Sequence, residues 1–340
     1  MKSNLKNIFN YTLIKISLIP LNLWIISSLI FILLRIAPGD PIDAILGSGA
    51  DQEARELMRN KLGLNQSIPI QYINYLKNLI NFNLGDSLSN QEPVIQIIRN
   101  ALPATIELGL FSILIAIFIG FPLGYMGLKN KNKKYDYISR IIGISSYAIP
   151  PFWGAMMMQL IFSVILRVLP IGGRFPIAEN PHNITGFFIL DSILKNDFNA
   201  FQGALYHLAL PSLTLGFLLS GIFSRSLRLN LEKAYKSDYV DAATCRGINE
   251  KNILLNYAFP NALIPIFTIT GFAIASLAGG ALLIEVTFSW PGLALKLQEA
   301  ILQRDYNLVQ GIVIVTSIII ISINLVIDIM IAFFDPRIKY

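Results

Sequence analysis

The chain has 340 residues, with 27 Lys and Arg against 21 Asp and Glu, and is 54% apolar but only 14% charged. That balance excludes an ordinary soluble domain, which would interrupt its apolar runs with charge far more often, and makes hydrocarbon the expected solvent for several segments. A single cysteine, Cys245, excludes an intrachain disulfide and a cysteine-built metal site.

Residues 1–37 read as an N-terminal cytoplasmic end followed by a first span, Leu18 to Leu34. The basic start resembles a secretory signal, but no small-x-small site closes the run before Arg35, so an uncleaved span is expected. Residues 38–103 form a polar extracytoplasmic segment that opens on the turn sequence PGDP at 38–41. Within it, 51–64 reads as an amphipathic helix stopped near Gly63, and 71–80 as a second. The segment is either a cap over the outer mouth of a channel or a packed surface subdomain.

Residues 104–334 then carry five more apolar runs: Ile106 to Leu128, Ile141 to Leu166, Leu208 to Phe223, Leu263 to Ile284 and Val309 to Phe334. About 20 helical residues cross a bilayer, so the fourth of the six spans is short and the third and sixth are long. The runs are too long for barrel strands and lack their alternation. The expected fold is therefore an all-α membrane protein of six transmembrane helices, ending in a cytoplasmic tail, 335–340. In that arrangement sixteen of the 27 basic residues lie on the cytoplasmic side with six acidic ones, most densely from Lys129 to Lys134. The excess places both termini in the cytoplasm and explains the net charge of +6 without a nucleic-acid partner. The second outer segment, Pro170 to Tyr206, contains GFFILDSIL at 186–194, too short to span.

The cytoplasmic segment 225–261 is too polar for lipid and too patterned for a linker. Asp238 is positioned to cap a helix with Asp241 in its first turn, a break follows at Gly247, and Asn249 with Glu250 starts the next helix. A short exposed helix between two spans is the expectation, and its small residues Ala242, Ala243 and Gly247 suit close approach to a partner, with Asp241 and Arg246 as orienting polar groups. Read without any family, Gly247 serves equally well as a helix C-cap in a helix that packs only on its own membrane domain.

The stretch DYVDAATCRGINEKNILLNYAFPNALIP at 238–265 resembles the cytoplasmic signature of bacterial ABC-importer permeases, E-A-A, three residues, G, nine residues, I-x-L-P. Asp241, Ala242, Ala243 and Gly247 match its first block and Tyr257, Ala258, Phe259 and Pro260 its second, with Asp241, Tyr257 and Phe259 departing in identity. LLRIAPGDP at 33–41, NLGDSL at 83–88, HLALPSLTLG at 207–216, EVTFSWPGL at 285–293, RDYNLVQG at 304–311 and DPRIKY at 335–340 extend the resemblance to the dipeptide, oligopeptide and nickel branch along essentially the whole chain.

The resemblance implies the ABC importer permease fold with a cytoplasmic coupling helix, in the bacterial inner membrane. It also implies a second related permease, two cytoplasmic ATPase subunits, an extracytoplasmic solute-binding protein and peptide cargo. ATPase coupling would fall to Asp241, Ala242, Ala243, Arg246 and Gly247. The sequence holds no G-x-x-x-x-G-K-S/T phosphate loop, so ATP hydrolysis would belong to another subunit. No cofactor is expected.

The remaining polar residues have plain readings. Glu107, Glu285 and Asp328 lie near span ends where carboxylates reach water, and Asn324 with Asp328 suits a helix contact. His182 and His207 lack the company of a metal site, and Trp24, Trp153 and Trp290 suit headgroup depth or span packing. No hydrolase constellation is present. The competing class is an ion-gradient-driven secondary transporter, which would need no docking helix for an ATPase; a simple membrane anchor is disfavoured by the structured turns on both faces.

Overall fold

The computed structural model describes residues 2–47, 50–129, 133–176 and 183–334. His182, Lys131 of the basic cluster and the tail 335–340 lie outside them. Among the described residues the elements are helices, joined by turns and irregular loops, with one isolated bridge between Asp86 and Pro93.

In chain order the helices are α1 (Lys2–Ile36), α2 (Pro41–Leu46), α3 (Gln52–Lys61), α4 (Ile68–Ile80), α5 (Val94–Lys129), α6 (Lys133–Ala148), α7 (Pro151–Met158), α8 (Phe188–Leu194), α9 (Phe198–Tyr235), α10 (Asp238–Cys245), α11 (Glu250–Ile253), α12 (Phe259–Thr287), α13 (Leu293–Leu302) and α14 (Tyr306–Phe334). One π-helical stretch, Gln159–Ile165, continues α7, and another, Leu254–Ala258, leads into α12. Four helical stretches are long and apolar enough to cross a membrane: Thr12–Ile36, Val94–Met126, Phe198–Tyr235 and Tyr306–Ala332. The number rises to six if Ser139–Ser146 with Pro151–Ile165, and Glu250–Leu263 with Pro265–Ser276, are each one bent span.

Hydropathy marks Ile141 to Leu166 as one apolar run, whereas the structure bends it. The first pair turns by 108° at Ile149, Pro150 and Pro151, where proline removes an amide donor and keeps the residue before it out of the helical region. Pro150 is extended at ψ 131 and α7 restarts with Pro151 in its first turn. The second pair bends by 47° beside Pro265. The fourth span is long rather than short. α9 starts ten residues before its apolar run, where the Asp197 side chain accepts from the Ala200 amide, and continues twelve residues beyond it.

The chain clusters into two compact units. The first comprises 1–16, 104–290 and 322–340, with α9 as its central helix. Its core joins Leu208, Leu215, Leu219, Phe223, Leu227 and Leu231 of α9 to Leu108 and Ala116 of α5 and to Ala262, Ile266 and Ile284 of α12. In a bilayer, apolar surface alone does not hold two helices together, and close backbone approach over small residues contributes much of the contact. Gly120 and Gly124 supply it on α5: a Cβ there would stand 2.7 Å from the Ser220 carbonyl oxygen and 2.8 Å from that of Ser224. On the other side of α9, a Cβ at Gly221 would stand 2.6 Å from the Gly143 carbonyl oxygen of α6. By contrast, only 11% of the apolar window of α1 and of α14 is buried, against 61% for α9, so those two helices present apolar faces suited to hydrocarbon or a neighbouring subunit.

The second unit comprises 17–103 and 291–321. The amphipathic helices expected within residues 38–103 are present as α3, capped by Asp51, and α4; Gly63 takes φ +68° just after the first. The PGDP turn places Gly39 at φ +114°, and the Asp40 carboxylate accepts from the Ile42 amide at the start of α2. NLGDSL and RDYNLVQG meet here: the buried Asp305 carboxylate accepts from Ser87 Oγ at 2.5 Å, Ser89 Oγ at 3.0 Å and the amides of Ser89 and Leu308. Val94, Ile97, Ile98, Leu293, Leu308 and Ile312 form the apolar core beneath.

Replacing Gly120 by valine is expected to destabilise the first unit by about 1–3 kcal/mol, since its Cβ alone would stand 2.7 Å from the Ser220 carbonyl oxygen and 2.8 Å from Phe223 Cβ. Thermal unfolding in detergent checks this, and an unchanged midpoint would mean that α5 and α9 do not approach so closely.

Candidate functional site

α10 follows α9 almost without a linker. α9 ends at Tyr235, Lys236 closes it, and Ser237 occupies the N-cap of α10 in extended geometry, so Asp238 is the first helical residue and not the cap expected from the sequence. Asp238 and Asp241 lie in the first turn, where carboxylates are favoured by the unpaired amides. At the other end the Gly247 amide donates to Thr244 O at 2.9 Å and the Ile248 amide to Ala243 O at 3.2 Å. This pair of bonds is a Schellman closure, which requires the left-handed φ of +74° found at Gly247. Asn249 then caps α11 by accepting from the Lys251 amide, as its position suggested.

The five residues singled out in the sequence fall into two groups. Asp241, Ala242 and Arg246 are exposed and form an outward surface. Ala243 is only 3% exposed and packs with Val240 and Ile253, beside Tyr235, Tyr239 and Ile248. Gly247 is exposed, and a Cβ there would meet nothing within 4 Å, so its constraint is the backbone angle and not crowding within the chain. Tyr235 Oη donates to Glu250 Oε1 at 3.1 Å, linking the end of α9 to the helix beyond the break. Of the second signature block, Ala258 is fully buried in the core of the first unit, whereas Tyr257 is exposed.

A second constellation in the first unit was not legible as such in the sequence. Glu107 of α5 and Glu285 of α12, read as carboxylates reaching water at span ends, are 4% and 0% exposed. Glu107 Oε2 accepts from Arg174 Nη2 at 2.7 Å and Nε at 3.2 Å, and its Oε1 accepts from the Ile189 amide at 3.0 Å. Arg174 Nη2 also donates to Gly186 O, and its guanidinium lies 3.9 Å from the Phe188 ring centroid. Burial pushes the Arg174 guanidinium below its usual value, and the Glu107 charge and hydrogen bond oppose that shift. Beside this pair, Trp290 is buried with its Nε1 donating to Ala104 O, and Glu285 Oε1 accepts from Thr105 Oγ1 at 2.7 Å.

The same loop is held again by Asp191 of α8. Its burial opposes ionisation, but bonds from Thr185 Oγ1 and the amides of Thr185, Ile184 and Gly186 outweigh that penalty and hold the carboxyl below the usual carboxylate range. His207 Nδ1 lies 3.1 Å from Gly172 O, a loop-holding contact. Asp328 pairs with Lys15 at 3.1 Å, and Asn324 faces Gly271 of α12, as a helix-contact reading of those two residues requires. The available signal for Glu107 was a carboxylate inside an apolar window; its partner, 67 residues away, carried no local mark.

Arg174→Met is expected to cost about 3–5 kcal/mol by leaving Glu107 buried without its cation, whereas Glu107→Gln combined with Arg174→Met recovers a large part of the loss. A double-mutant cycle on thermal unfolding reads the coupling, and additive effects would show that the two groups do not act as a pair.

Residues 112–340 match the family described as binding-protein-dependent transport system inner membrane component, and residues 9–109 match the N-terminal family of the same membrane components. Among curated proteins, the probable D,D-dipeptide transport system permease protein DdpB of Escherichia coli is 36% identical over 309 residues, 91% of either chain. The dipeptide transport system permease protein DppB of Alkalihalophilus pseudofirmus is also 36% identical, over 91% of this chain and 93% of its own. The di/tripeptide transport system permease protein DppB of Pseudomonas aeruginosa is 32% identical over 93% and 94%. With the apolar helices and the α10 segment in place, these matches mean that the chain belongs to the binding-protein-dependent inner membrane components, the permeases of ABC importers, and is a multi-pass inner membrane protein.

Proposed function

We propose that this chain forms the transmembrane pathway of an ATP-driven, binding-protein-dependent importer of di- or oligopeptides, as one of two related permeases served by two cytoplasmic ATPase subunits and an extracytoplasmic solute-binding protein. The peptide assignment rests on the names of the relatives, which are dipeptide and di/tripeptide permeases. The ion-gradient alternative has no counterpart among them. In this reading both termini are cytoplasmic, each bent helix pair is one of six spans, and the outer segment 38–103 faces the binding protein. The chain is a non-catalytic subunit.

The observation that carries the mechanism is the exposed, self-contained α10 at the end of the central helix. A short helix whose interior is filled by Val240, Ala243 and Ile253 keeps its shape when pushed, and Asp241, Ala242 and Arg246 lie outward. A groove on an ATPase subunit would receive this surface, with Ala242 permitting close approach and Asp241 and Arg246 orienting it through charged hydrogen bonds. Ala243 and Gly247 would contribute by shaping the helix and its closure. ATP-driven movement of the groove would then displace α10 and, through the two-residue joint, α9.

This division of labour makes Ala242→Trp the cleanest probe. The indole would project outward, leaving the fold intact while reducing ATPase association and ATP-dependent peptide transport by roughly tenfold or more. Gly247→Ala should be milder, losing about 1 kcal/mol locally because the +74° angle penalises any side chain. Both are measured on the reconstituted complex, with protease resistance as the check on folding. Normal association and transport by folded Ala242→Trp would remove the groove contact.

Orientation has its own readout in the exposed, sole cysteine, Cys245. A membrane-impermeant maleimide is expected to label it in inverted vesicles and not in intact spheroplasts. Labelling from outside alone would reverse the proposed topology.

A further inference from the structure

The second unit contains a cavity of about 350 Å³, at the small end of the range for ligand pockets, between the outer end of α1, helices α3 and α4, the 83–85 turn and the start of α14. Among the described residues its lining includes two cations, Arg35 and Lys61, and eight Asn or Gln side chains, but no Asp or Glu. Three buried polar atoms on its walls lack a hydrogen-bond partner among the described residues: Arg35 Nη1, Tyr75 Oη and Gln310 Nε2. Such atoms destabilise a fold when unsatisfied, the charged one most, and they are rare in folded proteins. Elsewhere in the same unit the buried Asp305 receives four hydrogen bonds, so the packing there is well able to satisfy a buried charge.

The three groups are also held in place. The Arg35 guanidinium lies 4.7 Å from the ring centroids of both Phe31 and Tyr306, and its Nε donates to Gln71 Oε1 at 3.0 Å. Tyr75 stacks on Phe31 with centroids 5.5 Å apart. Gln310 is only 7% exposed. All three are hydrogen-bond donors, and burial pushes the Tyr75 phenol up, with the nearby Tyr72 adding to the shift, so its hydroxyl keeps its proton. A fixed cation, two neutral donors and an amide-rich wall without a carboxylate are complementary to an anion rich in acceptor oxygens. Because Arg35 is the penultimate residue of the apolar helix α1, and Ile32, Leu33 and Ile36 beside it are exposed, the cavity would stand, with α1 across a bilayer, at the level where lipid head groups begin.

We propose that this cavity binds an oxyanion, the phosphate of an anionic lipid head group or free phosphate, through Arg35, Gln310 and Tyr75. The site is separate from the α10 segment, and occupancy would brace the outer subdomain, because the ligand would tie α4 to the ends of α1 and α14. Ordered water filling the same cavity is the competing account.

The full chain, in its assembled complex, is placed in nanodiscs of phosphatidylcholine with or without phosphatidylglycerol, and each preparation is titrated with inorganic phosphate. Hydrogen exchange of α4 residues 68–80 is the readout, with native mass spectrometry for retained lipid. Protection of α4 by phosphatidylglycerol alone assigns the site to a lipid head group, and protection by phosphate in both bilayers assigns it to the free ion. Arg35→Gln should weaken the effect at least about tenfold, the usual consequence of losing a charged hydrogen bond. Gln310→Glu, nearly identical in shape, should abolish anion binding by placing a carboxylate among the donors; its α4 should be protected without any anion through an internal pair with Arg35. Should either variant fail to fold, Tyr75→Phe removes one hydroxyl and should weaken binding several-fold. If neither anion protects α4 of the parent, or if the Gln310→Glu protein responds to them as the parent does, the cavity holds water or a neutral group and the proposal fails.

Discussion

Glycine at 120 and 124 lets α5 lie so close to α9 that a methyl group on either residue would stand 2.7–2.8 Å from a backbone oxygen of Ser220 or Ser224. Within hydrocarbon such contact has to be made by shape, since lipid tails solvate leucine as well as another helix does. The consequence is a central helix gripped on several faces: α5 on one side, α6 at Gly221 on another, and α12 across Phe223, Leu227 and the cluster around Ile266. Of the four long helices α9 is the least apolar, with a mean hydropathy of 1.5 against 2.2 for α1 and 2.6 for α14, and it is also the most buried, as befits a helix whose neighbours are protein rather than lipid.

That grip determines what α10 is able to do. Only Lys236 and Ser237 separate the two helices, and Tyr235 belongs to the small core that supports α10 while bonding Glu250 beyond the break. In the proposed coupling, a displacement of α10 would therefore reach a helix packed against α5, α6 and α12 through a two-residue joint. Close-packed interfaces shift between discrete arrangements more readily than they deform continuously. The Schellman closure at Gly247 fits the same logic, because it ends α10 with its carbonyl groups bonded and its exposed face unobstructed.

The sequence is informative where a local rule governs. Apolar run length marks the four long apolar helices, Asp51 and Gly63 bound α3, and Gly247 with Asn249 marks the break after α10, because caps and left-handed turns act over a few residues. It misjudges α9, since a hydropathy window registers only the apolar middle of a helix that continues through polar ends. The Pro150–Pro151 bend is present in the letters but its 108° angle is not, because proline dictates a break and the packing around it decides the direction. Within the candidate coupling surface, spacing alone treats Ala242 and Ala243 alike; the helix rotates one outward and the other into the core. Pairings such as Glu107 with Arg174, and Ser87 with Asp305, depend on which distant segments the fold brings together.

The buried polar groups of the chain divide by how completely they are answered. Glu107, Arg174 and Asp191 bond one another's surroundings through side chains and loop amides, and a network completed in this way holds the 183–194 segment in one arrangement. Asp305 is completed in the same manner by serines and amides of the second unit. Arg35, Tyr75 and Gln310 are not, although aromatic stacking and a bond to Gln71 keep the arginine and tyrosine in position. Donors that are rigid and unanswered destabilise a fold but are already arranged for an acceptor, so the binding of one loses little entropy to ordering. The contrast between completed and open networks within the second unit, and not the volume of the cavity, is what carries the proposal of a charged ligand there.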